Sequence, residues 1–180
     1  QFNPVVPDRD FVVIIQGRIA ILCLSGPLGN LDIVCVYMDA TCSRTRQSAI
    51  HQLSHRLRPQ HEALTVVMGD FNIAPEDRDV HDPAAWEGSV HVSPIEREAL
   101  QGLEGLGLSD SFRLFDQPEA SYSWWDYRRG AFRRNAGLRI DLVLASKALA
   151  ETCTGCATDV EPRSWERPSD HAPVVATFGV

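Results

Sequence analysis

Short apolar runs separated by turn residues dominate the hydrophobic pattern of this chain. Because these runs are rich in β-branched residues and are bounded by Gly, Pro, Asn and Asp, the pattern predicts β-strands. The turn sequence Gly26–Asn30 predicts a hairpin between the second and third strands. The predicted strands are Phe11–Ile15, Arg18–Leu24, Leu31–Tyr37, Leu64–Gly69, Arg139–Leu144 and Val174–Phe178.

Helices are predicted in three other segments. Ile50, Leu53 and Leu57 recur at helical spacing within Ser43–Arg58. A second helix begins near Pro94, carries glutamates early and ends at Gly107, and a short third one lies at Lys147–Glu151. Strands and helices together indicate an α/β (α+β) chain whose sheets are covered by helices.

The composition indicates a globular protein of one domain, residues 1–180. The 180 residues, 44% hydrophobic and 23% charged, are enough to bury a core. No apolar run approaches the roughly 20 residues that a bilayer-spanning helix requires. Five cysteines at irregular spacing fit neither a zinc pattern nor a disulfide framework. They predict free thiols in a reducing compartment such as the cytosol, the nucleus or an organelle.

The charge distribution is uneven. A net charge of −7 argues against a general nucleic-acid binder, which normally carries a basic surface. Residues 120–140, however, contain five arginines and one aspartate, a net charge of +4 that leaves −11 on the rest of the chain. A solvated loop and a phosphate-contacting loop both fit this segment, and both alternatives stay open.

Polar residues end or interrupt three of the predicted strands. Asp70 and Asn72 follow the fourth strand two residues apart, so we expect them on one side of a continuing strand. Asp141 interrupts the fifth strand, and Asp170 and His171 precede the sixth. Burial of such groups is costly unless they are paired or bind a cation. Each alone also fits a structural alternative: a turn that caps its own backbone, an ion pair or a loop.

Taken together, these side chains form a chemically consistent set. Three carboxylates, a carboxamide and an imidazole are hard ligands suited to a divalent cation and a reacting phosphate. A carboxylate beside a histidine fixes the tautomer of the ring and stabilises its protonated form. No phosphate-binding glycine loop, serine-nucleophile elbow or dinucleotide motif competes with this interpretation.

Four ordered motifs resemble those of the exonuclease III-type AP endonucleases, in the endonuclease/exonuclease/phosphatase superfamily. They are Gly69–Pro75, Tyr122–Arg128, Gly137–Asp141 and Pro168–Pro173. The resemblance is strong over residues 64–178, whereas residues 1–63 diverge. It implies a four-layer αββα sandwich and a phosphodiesterase, dependent on magnesium or manganese, that acts on DNA at abasic sites or 3′ ends in base excision repair.

The resemblance also implies roles for the residues that match the motifs. Asp70 is expected to orient or deprotonate the attacking water, and Asn72 to contact the phosphate. His171 is expected to stabilise the charge on the phosphate, with Asp141 holding its ring. Asp170, together with Asp70, is expected to hold the metal ion.

Further positions are implied for substrate contact. Tyr37 resembles the family's active-site tyrosine and is expected near the phosphate, although Met38 after it departs from the family's turn. Trp124 is expected to wall the pocket for an extruded abasic sugar or terminal nucleotide, and Trp125 to pack in the core. The other expected substrate-binding residues are Arg128, Asn135 and Arg139.

One metal ligand of the family has no counterpart here. The family's early strands end in an asparagine and in a Gln-Glu pair whose glutamate is the main magnesium ligand, but the first glutamate in this chain is Glu62. Gln1–Asn3 and Val12–Gln16 echo these motifs at too short a spacing, which we interpret as chance. We therefore expect an N-terminally incomplete domain that lacks some strands, whose exposed sheet edges a protein partner can cover.

Two function hypotheses follow, and a third ranks below them. The chain is either an active DNA phosphodiesterase or a catalytically inactive nuclease domain that serves as a structural or interaction subunit of a larger complex. Without its metal, a phosphodiesterase site loses most of its rate, which keeps the second hypothesis open. An enzyme for lipid or inositol phosphates ranks lower because Tyr122–Arg128 resembles the DNA-repair branch.

Overall fold

Eight β-strands and four α-helices form the described part of the chain, which is residues 11–16, 19–26, 29–57 and 64–179 of a computed structural model. The strands are β1 (Phe11–Gln16), β2 (Ile19–Gly26), β3 (Gly29–Tyr37), β4 (Leu64–Asp70), β5 (Leu108–Asp110), β6 (Asp141–Ser146), β7 (Cys153–Thr158) and β8 (Val174–Phe178). The helices are α1 (Ser43–Leu57), α2 (Pro83–Trp86), α3 (Pro94–Glu104) and α4 (Lys147–Ala150).

Six strands form one sheet in the order β1-β2-β3-β4-β6-β5, and β7 pairs with β8 in a second sheet. Strands β3 and β4 are parallel, and the other neighbouring strands in these sheets are antiparallel. Since a parallel pair requires a crossover connection, α1 lies between β3 and β4 along the chain. The carboxyl ends of both strands therefore meet, and Tyr37 is the register partner of Asp70.

Helices α1 and α3 cover one face of the six-stranded sheet. Leu53 of α1 and Leu103 of α3 have no exposed surface and pack with Val67 of β4 and Leu144 of β6. The helical spacing of apolar residues seen in the sequence thus marks the side of α1 that faces the sheet.

The opposite face of this sheet packs against the second sheet. Val66 and Val143 are buried there, and Phe178 of β8 packs against them. Val175, on the other side of β8, is 53% exposed. The described ranges therefore show three layers of the expected αββα sandwich, in the order helix, sheet, sheet. The predicted mixed α/β class, with a central sheet covered by helices, is confirmed.

The predicted strands and helices are all present, with ends displaced by a few residues. The strand predicted from Arg139 begins at Asp141. β5 and β7 were not predicted, because β5 has three residues and the CTGCAT sequence of β7 lacks an alternating apolar pattern. Strands β2 and β3 pair antiparallel up to Gly26 and Gly29, as the predicted hairpin requires. Eight residues named in the sequence interpretation lie outside the described residues: Gln1–Asn3, Arg18, residues 27–28, Arg58 and Glu62.

The cysteines and the helices bear on two further expectations. All five cysteines have free thiols, as their spacing predicts. No helix in the described ranges is long and apolar enough to cross a membrane. The reducing compartment and the protein partner at the sheet edges stay predictions.

Candidate active site

The site is built where β4 ends and β6 begins. In the antiparallel register of these strands, Asp70 lies opposite Asp141. Gly69 permits the close approach of β3, because its φ is +139° and an added Cβ would lie 2.0 Å from the Val36 carbonyl oxygen. Only glycine fits this backbone position, so the strand that carries Asp70 is fixed against its neighbour.

Asn72 reaches Asp70 through a turn. Its φ of 53° lies in the left-handed region, so the continuing strand that the sequence predicted is wrong. The backbone N–H of Asn72 donates to Asp70 Oδ1 (2.9 Å), and its Nδ2 donates to Asp70 Oδ2 (2.8 Å) and to the carbonyl oxygen of Met38 (2.9 Å). The two side chains are together because the turn, and not the period of a strand, brings them into contact.

His171 is held by a carboxylate that is itself held by a hydroxyl. Nδ1 of His171 lies 2.9 Å from Asp141 Oδ2. The buried hydroxyl of Ser123 donates to the same oxygen (2.7 Å) and accepts the backbone N–H groups of Ile140 and Asp141, each at 3.1 Å. Sequence reasoning missed Ser123, although a single small serine inside the aromatic Tyr122–Arg128 motif was the available signal.

The electrostatics of the site favour protonation of two groups. Nε2 of His171 faces Asp70 Oδ2 at 4.0 Å. Burial and the nearby charge of Asp141 raise the pKa of Asp70 to about 6. Burial alone lowers the pKa of His171, but the hydrogen bond to Asp141 and the charges of Asp141, Asp70 and Asp170 outweigh it, so the pKa of His171 is raised.

Trp124 connects this cluster to Asp170. Its indole Nε1–H donates to Asp170 Oδ2 (3.0 Å), and the ring of His91 stacks on it with centroids 6.5 Å apart and an interplanar angle of 26°. Trp86 meets Trp124 edge to face at 6.2 Å. Trp125 is 2% exposed, which confirms its predicted place in the core.

A divalent cation is only partly accommodated by the residues present. Asp70 and Asp170 offer oxygen ligands of the kind that magnesium and manganese prefer. Within the described ranges, however, no group of three or more His, Cys, Asp and Glu side chains could hold a metal ion. These residues alone therefore do not fit a complete cation site, and further ligands have to come from elsewhere.

Three other predicted site residues, the active-site Tyr37 and the substrate-binding Arg128 and Asn135, lie on or near the surface. Tyr37 is 59% exposed at the end of β3, beside Asp70. The side chain of Arg128 is 85% exposed and pairs with Asp126 at 2.6 Å. The amide of Asn135 is bound by the protein, because its Oδ1 accepts from Trp125 Nε1 (3.0 Å) and its Nδ2 donates to the carbonyl oxygen of Ala120 (2.9 Å). Their contact with substrate stays a prediction.

Arg139 is not available to a substrate. Its side chain is 1% exposed and pairs with Asp79 (Nε to Oδ1, 2.6 Å) and with Asp110 (2.8 Å to Oδ2). Its guanidinium also lies over the Phe112 ring, 4.9 Å from the centroid. The expectation of DNA contact at Arg139 is therefore wrong, because two buried aspartates neutralise this cation inside the protein.

The geometry agrees with the similarity of this chain to known proteins. The sequence pattern of the Endonuclease/Exonuclease/phosphatase family matches residues 5–171. Exodeoxyribonuclease III of Haemophilus influenzae is 35% identical over 180 aligned residues, which cover 91% of this chain and 67% of that protein. The DNA repair nuclease APEX1 of Danio rerio is 32% identical over 117 residues, 64% of this chain and 36% of that protein. The chain therefore belongs to the endonuclease/exonuclease/phosphatase family.

Solved structures narrow the class. An AP endonuclease from Archaeoglobus fulgidus superposes on this chain with a TM-score of 0.82 and 31% sequence identity. The 3′ phosphatase NExo from Neisseria, bound to a product DNA hairpin, superposes with a TM-score of 0.83 and 35% sequence identity. Each match covers 96% of this chain and 71% of the solved chain. Within its family the chain is of the exonuclease III-type AP endonuclease branch. It spans about two thirds of the length of the Haemophilus influenzae protein and about one third of APEX1.

Proposed function

We propose that this chain is a DNA phosphodiesterase that hydrolyses abasic sites or 3′ ends during repair. One observation carries the proposal: Oδ2 of Asp70 and Nε2 of His171 face each other at 4.0 Å. Each side chain is fixed by a neighbour, Asp70 by the amide of Asn72 and His171 by the carboxylate of Asp141. A general base and a cationic acid fixed side by side suit attack of water on a phosphate that lies next to both groups.

Asp70 is suited to the role of general base. Its pKa of about 6 lets the ionised form accept a proton from water near neutral pH. The amide of Asn72 binds Asp70 Oδ2 and so fixes the direction of its free lone pairs. The water loses its proton to Asp70, and its oxygen forms a bond to phosphorus while the bond to the leaving oxygen breaks.

His171 is suited to the stabilisation of negative charge. Because Asp141 accepts from Nδ1, we assign a proton to that nitrogen and leave Nε2 directed at the phosphate position. The raised pKa of His171 increases its cationic fraction, and a fixed cation stabilises the charge that develops on the phosphate oxygens.

We also propose that hydrolysis requires Mg²⁺ or Mn²⁺, which when bound neutralises charge on the phosphate. Asp70 and Asp170 are two ligands of suitable chemistry. The raised pKa of Asp70 opposite Asp141 supports this proposal, because a bound cation would relieve the repulsion between neighbouring carboxylates. The other ligands are expected from outside the described residues.

The test is cleavage of two fluorescent duplexes, one with a single abasic site and one with a 3′ phosphate at a nick, in Mg²⁺, Mn²⁺ or EDTA. The variant Asp70→Ala/His171→Ala removes the proposed base and cation. The matched control Asp116→Ala/His55→Ala removes the same residue types from exposed positions.

Metal-dependent cleavage that is lost in the first variant and kept in the second supports the proposal, and the preferred duplex identifies the substrate. Equal cleavage by both variants contradicts the assignment of the site. No cleavage by folded wild-type protein in either metal overturns the proposal and leaves the chain a structural or interaction subunit.

A further inference from the structure

The Pro168–Pro173 loop, which carries two residues of the site, is held through three consecutive backbone carbonyl groups. Those of residues 168 and 170 accept hydrogen bonds from the Tyr127 hydroxyl (2.8 Å) and from the Trp125 backbone N–H (3.0 Å). The carbonyl oxygen between them, that of Ser169, accepts from Nη1 of Arg163. A donor on each successive peptide group fixes the course of this backbone, and Arg163 is the charged donor among the three.

Arg163 reaches the loop from a cage of aromatic rings. It belongs to a single 3₁₀ turn, Glu161–Ser164, and is 6% exposed. Its guanidinium carbon lies 4.9 Å from the ring centroid of Phe132, 5.6 Å from that of Tyr127 and 6.0 Å from that of Trp125. A cation over the face of a ring at such distances is attracted to it. The rings therefore hold the guanidinium group in the position from which it binds the loop.

The charge of Arg163 is buried without an acidic partner. Within the described ranges this arginine forms no ion pair, and its Nε–H has no hydrogen-bond acceptor. The other two buried arginines, Arg46 and Arg139, are each paired with a carboxylate. Burial of an unpaired cation is costly, and exceptions of this kind concentrate at functional sites. The placement of Arg163 therefore points to a role in the site and not in stability alone.

The loop requires support because its path is bent and its side chains are in close contact. Arg167, just before the loop, has a φ of 54°, in the left-handed region that is unfavourable for residues with a Cβ. The loop then places Asp170 Oδ2 3.0 Å from Nε1 of Trp124, and Nδ1 of His171 2.9 Å from Oδ2 of Asp141. A displacement of the loop by about 1 Å would break both contacts.

We propose that Arg163 is a positioning residue. Held by the rings, its guanidinium group binds the carbonyl of Ser169 and so fixes where Asp170 and His171 lie. Arg163 acts through the loop and not on the substrate. Its loss is therefore expected to lower kcat much more than it raises KM, because the reacting groups lose their alignment. The inference rests on the proposed function and deepens it.

The first test observes the loop itself and needs no cleavage. Two backbone N–H groups report on it, because that of Trp125 donates to the loop and that of Ala172 donates from it. Their hydrogen exchange is followed by NMR in EDTA. Arg163→Met is expected to speed exchange at both amides at least about tenfold, because the loop opens more readily without a charged hydrogen bond.

The matched control is Arg113→Met. Arg113 is bound by the carboxylate of Asp79 and lies over the ring of Phe112, 5.6 Å from its centroid, so its partners are outside the loop. Since a local opening of the loop leaves these contacts in place, exchange at the two amides is expected to change less than about threefold. Equal acceleration by both variants overturns the proposal, as does unchanged exchange in Arg163→Met.

The second test measures turnover of the abasic-site duplex in Mg²⁺ or Mn²⁺. In Arg163→Met, kcat is expected to fall at least about tenfold, with KM changed less than about threefold. Arg163→Lys is expected to recover at least about threefold of this loss, because an ammonium group is also attracted to the rings and donates to the Ser169 carbonyl.

Two results in turnover overturn the positioning role: a loss that falls on KM alone, or no recovery of kcat in Arg163→Lys. Faster exchange in Arg163→Met but not in Arg113→Met, in a wild type that cleaves neither duplex, has another meaning. It supports the hold of Arg163 on the loop and overturns the proposed function alone.

Discussion

At the scale of single residues, the site is a set of side chains that hold one another. Asp70 is bound by Asn72, and Asp141 is bound by Ser123 and holds His171. This mutual support fixes the reacting groups, but it also places two carboxylates opposite each other in the β-ladder. Function and stability therefore make opposite demands on Asp70.

The ionisation of Asp70 is expected to destabilise the metal-free protein. Because its pKa rises from 3.8 to about 6 on folding, the folded state keeps a proton that the unfolded state has lost. The protonated Asp70 carboxyl therefore contributes to the free energy of unfolding. This contribution is complete below about pH 4 and is lost as pH rises through about 6. Relative to Asp70→Asn, the wild-type free energy of unfolding is expected to fall by up to about 3 kcal/mol between pH 4 and 7.

Urea denaturation of both proteins in EDTA at four pH values measures this difference. Asp116→Asn, at an exposed position, is the control for loss of a surface carboxylate. A difference between wild type and Asp70→Asn that stays constant from pH 4 to 7 contradicts the expectation.

Ser123 is expected to act as a positioning residue. In Ser123→Ala, Asp141 loses one partner and the backbone N–H groups of residues 140 and 141 lose their acceptor. Unfolding free energy is expected to fall by about 1–3 kcal/mol and kcat by about tenfold, with KM nearly unchanged. The pH–rate profile is also expected to shift, because the orientation of Asp141 sets the pKa of His171. Ser121→Ala, in an exposed loop, is the control and should leave kcat and the pH–rate profile unchanged.

The sequence revealed the residues of the site better than their contacts. Charges at the ends of apolar runs are a local signal, so Asp70, Asp141 and His171 were identified before any geometry was known. Ser123 and Arg139 depend on partners far along the chain, which a local pattern does not reveal. Arg139 looked like part of a basic surface because its partner Asp79 lies 60 residues away.

At the scale of elements, the close pairing of β3 and β4 determines where Asp70 and Tyr37 meet. The predicted apolar runs sufficed to locate both strands, because each is a short segment rich in apolar and β-branched residues. Their parallel pairing follows from the length of the connection that contains α1. The sequence offered the turn at Asn72 only as an alternative to a continuing strand, because the period of apolar residues does not reveal the hydrogen bond from the Asn72 N–H to the Asp70 side chain that forms it.

Gly69→Ala is expected to disrupt this pairing. The new Cβ would meet the Val36 carbonyl oxygen at 2.0 Å, and relief requires β3 to move. We expect a loss of at least about 3 kcal/mol in the free energy of unfolding. Gly102→Ala in α3 is the matched control: its Cβ meets nothing within 4 Å, and a helical alanine is expected to stabilise by up to about 1 kcal/mol. Similar stabilities of the two variants would contradict this explanation.

Arg46 is expected to join α1, α3 and the turn after β3. It is fully buried, donates to the carbonyl oxygens of Asp39 and Val90, and pairs with Glu96 at 3.3 Å. Arg46→Met leaves the buried Glu96 without its cation, so we expect a loss of about 3–5 kcal/mol in chemical denaturation. Arg46→Met/Glu96→Gln should recover part of this loss. A double variant less stable than the single one would show that the carboxylate is not the cause.

At the scale of the whole molecule, the uneven charge limits how DNA can bind. The chain carries −7 overall, and two of the five arginines in residues 120–140 are already neutralised by aspartates, Arg128 at the surface and Arg139 inside. The effective basic surface is therefore smaller than the sequence suggests. Electrostatic attraction is expected to be local, around the loop at residues 128–134, and not spread over one face.

The salt dependence of DNA binding is expected to be weak for a nuclease. With Arg129, Arg133 and Arg134, the exposed arginines of this segment that form no ion pair within the described ranges, as the principal phosphate contacts, the logarithm of the association constant should fall against the logarithm of NaCl concentration with a slope of about −3. Anisotropy titrations between 50 and 200 mM NaCl, about the range over which such slopes are determined, measure it. A slope steeper than about −5 would require a wide basic surface that the charge distribution does not offer.

The meeting of Trp86 and Trp124 gives the molecule a further property. Two of its four tryptophans line one pocket in edge-to-face contact, and Trp124 donates its indole N–H to Asp170. Indole emission depends on the groups that touch the ring and on the strength of that hydrogen bond. A ligand that enters the pocket, or that draws Asp170 away from Trp124, is therefore expected to change the wavelength and intensity of the intrinsic tryptophan fluorescence. Occupancy of the site can then be followed without a dye.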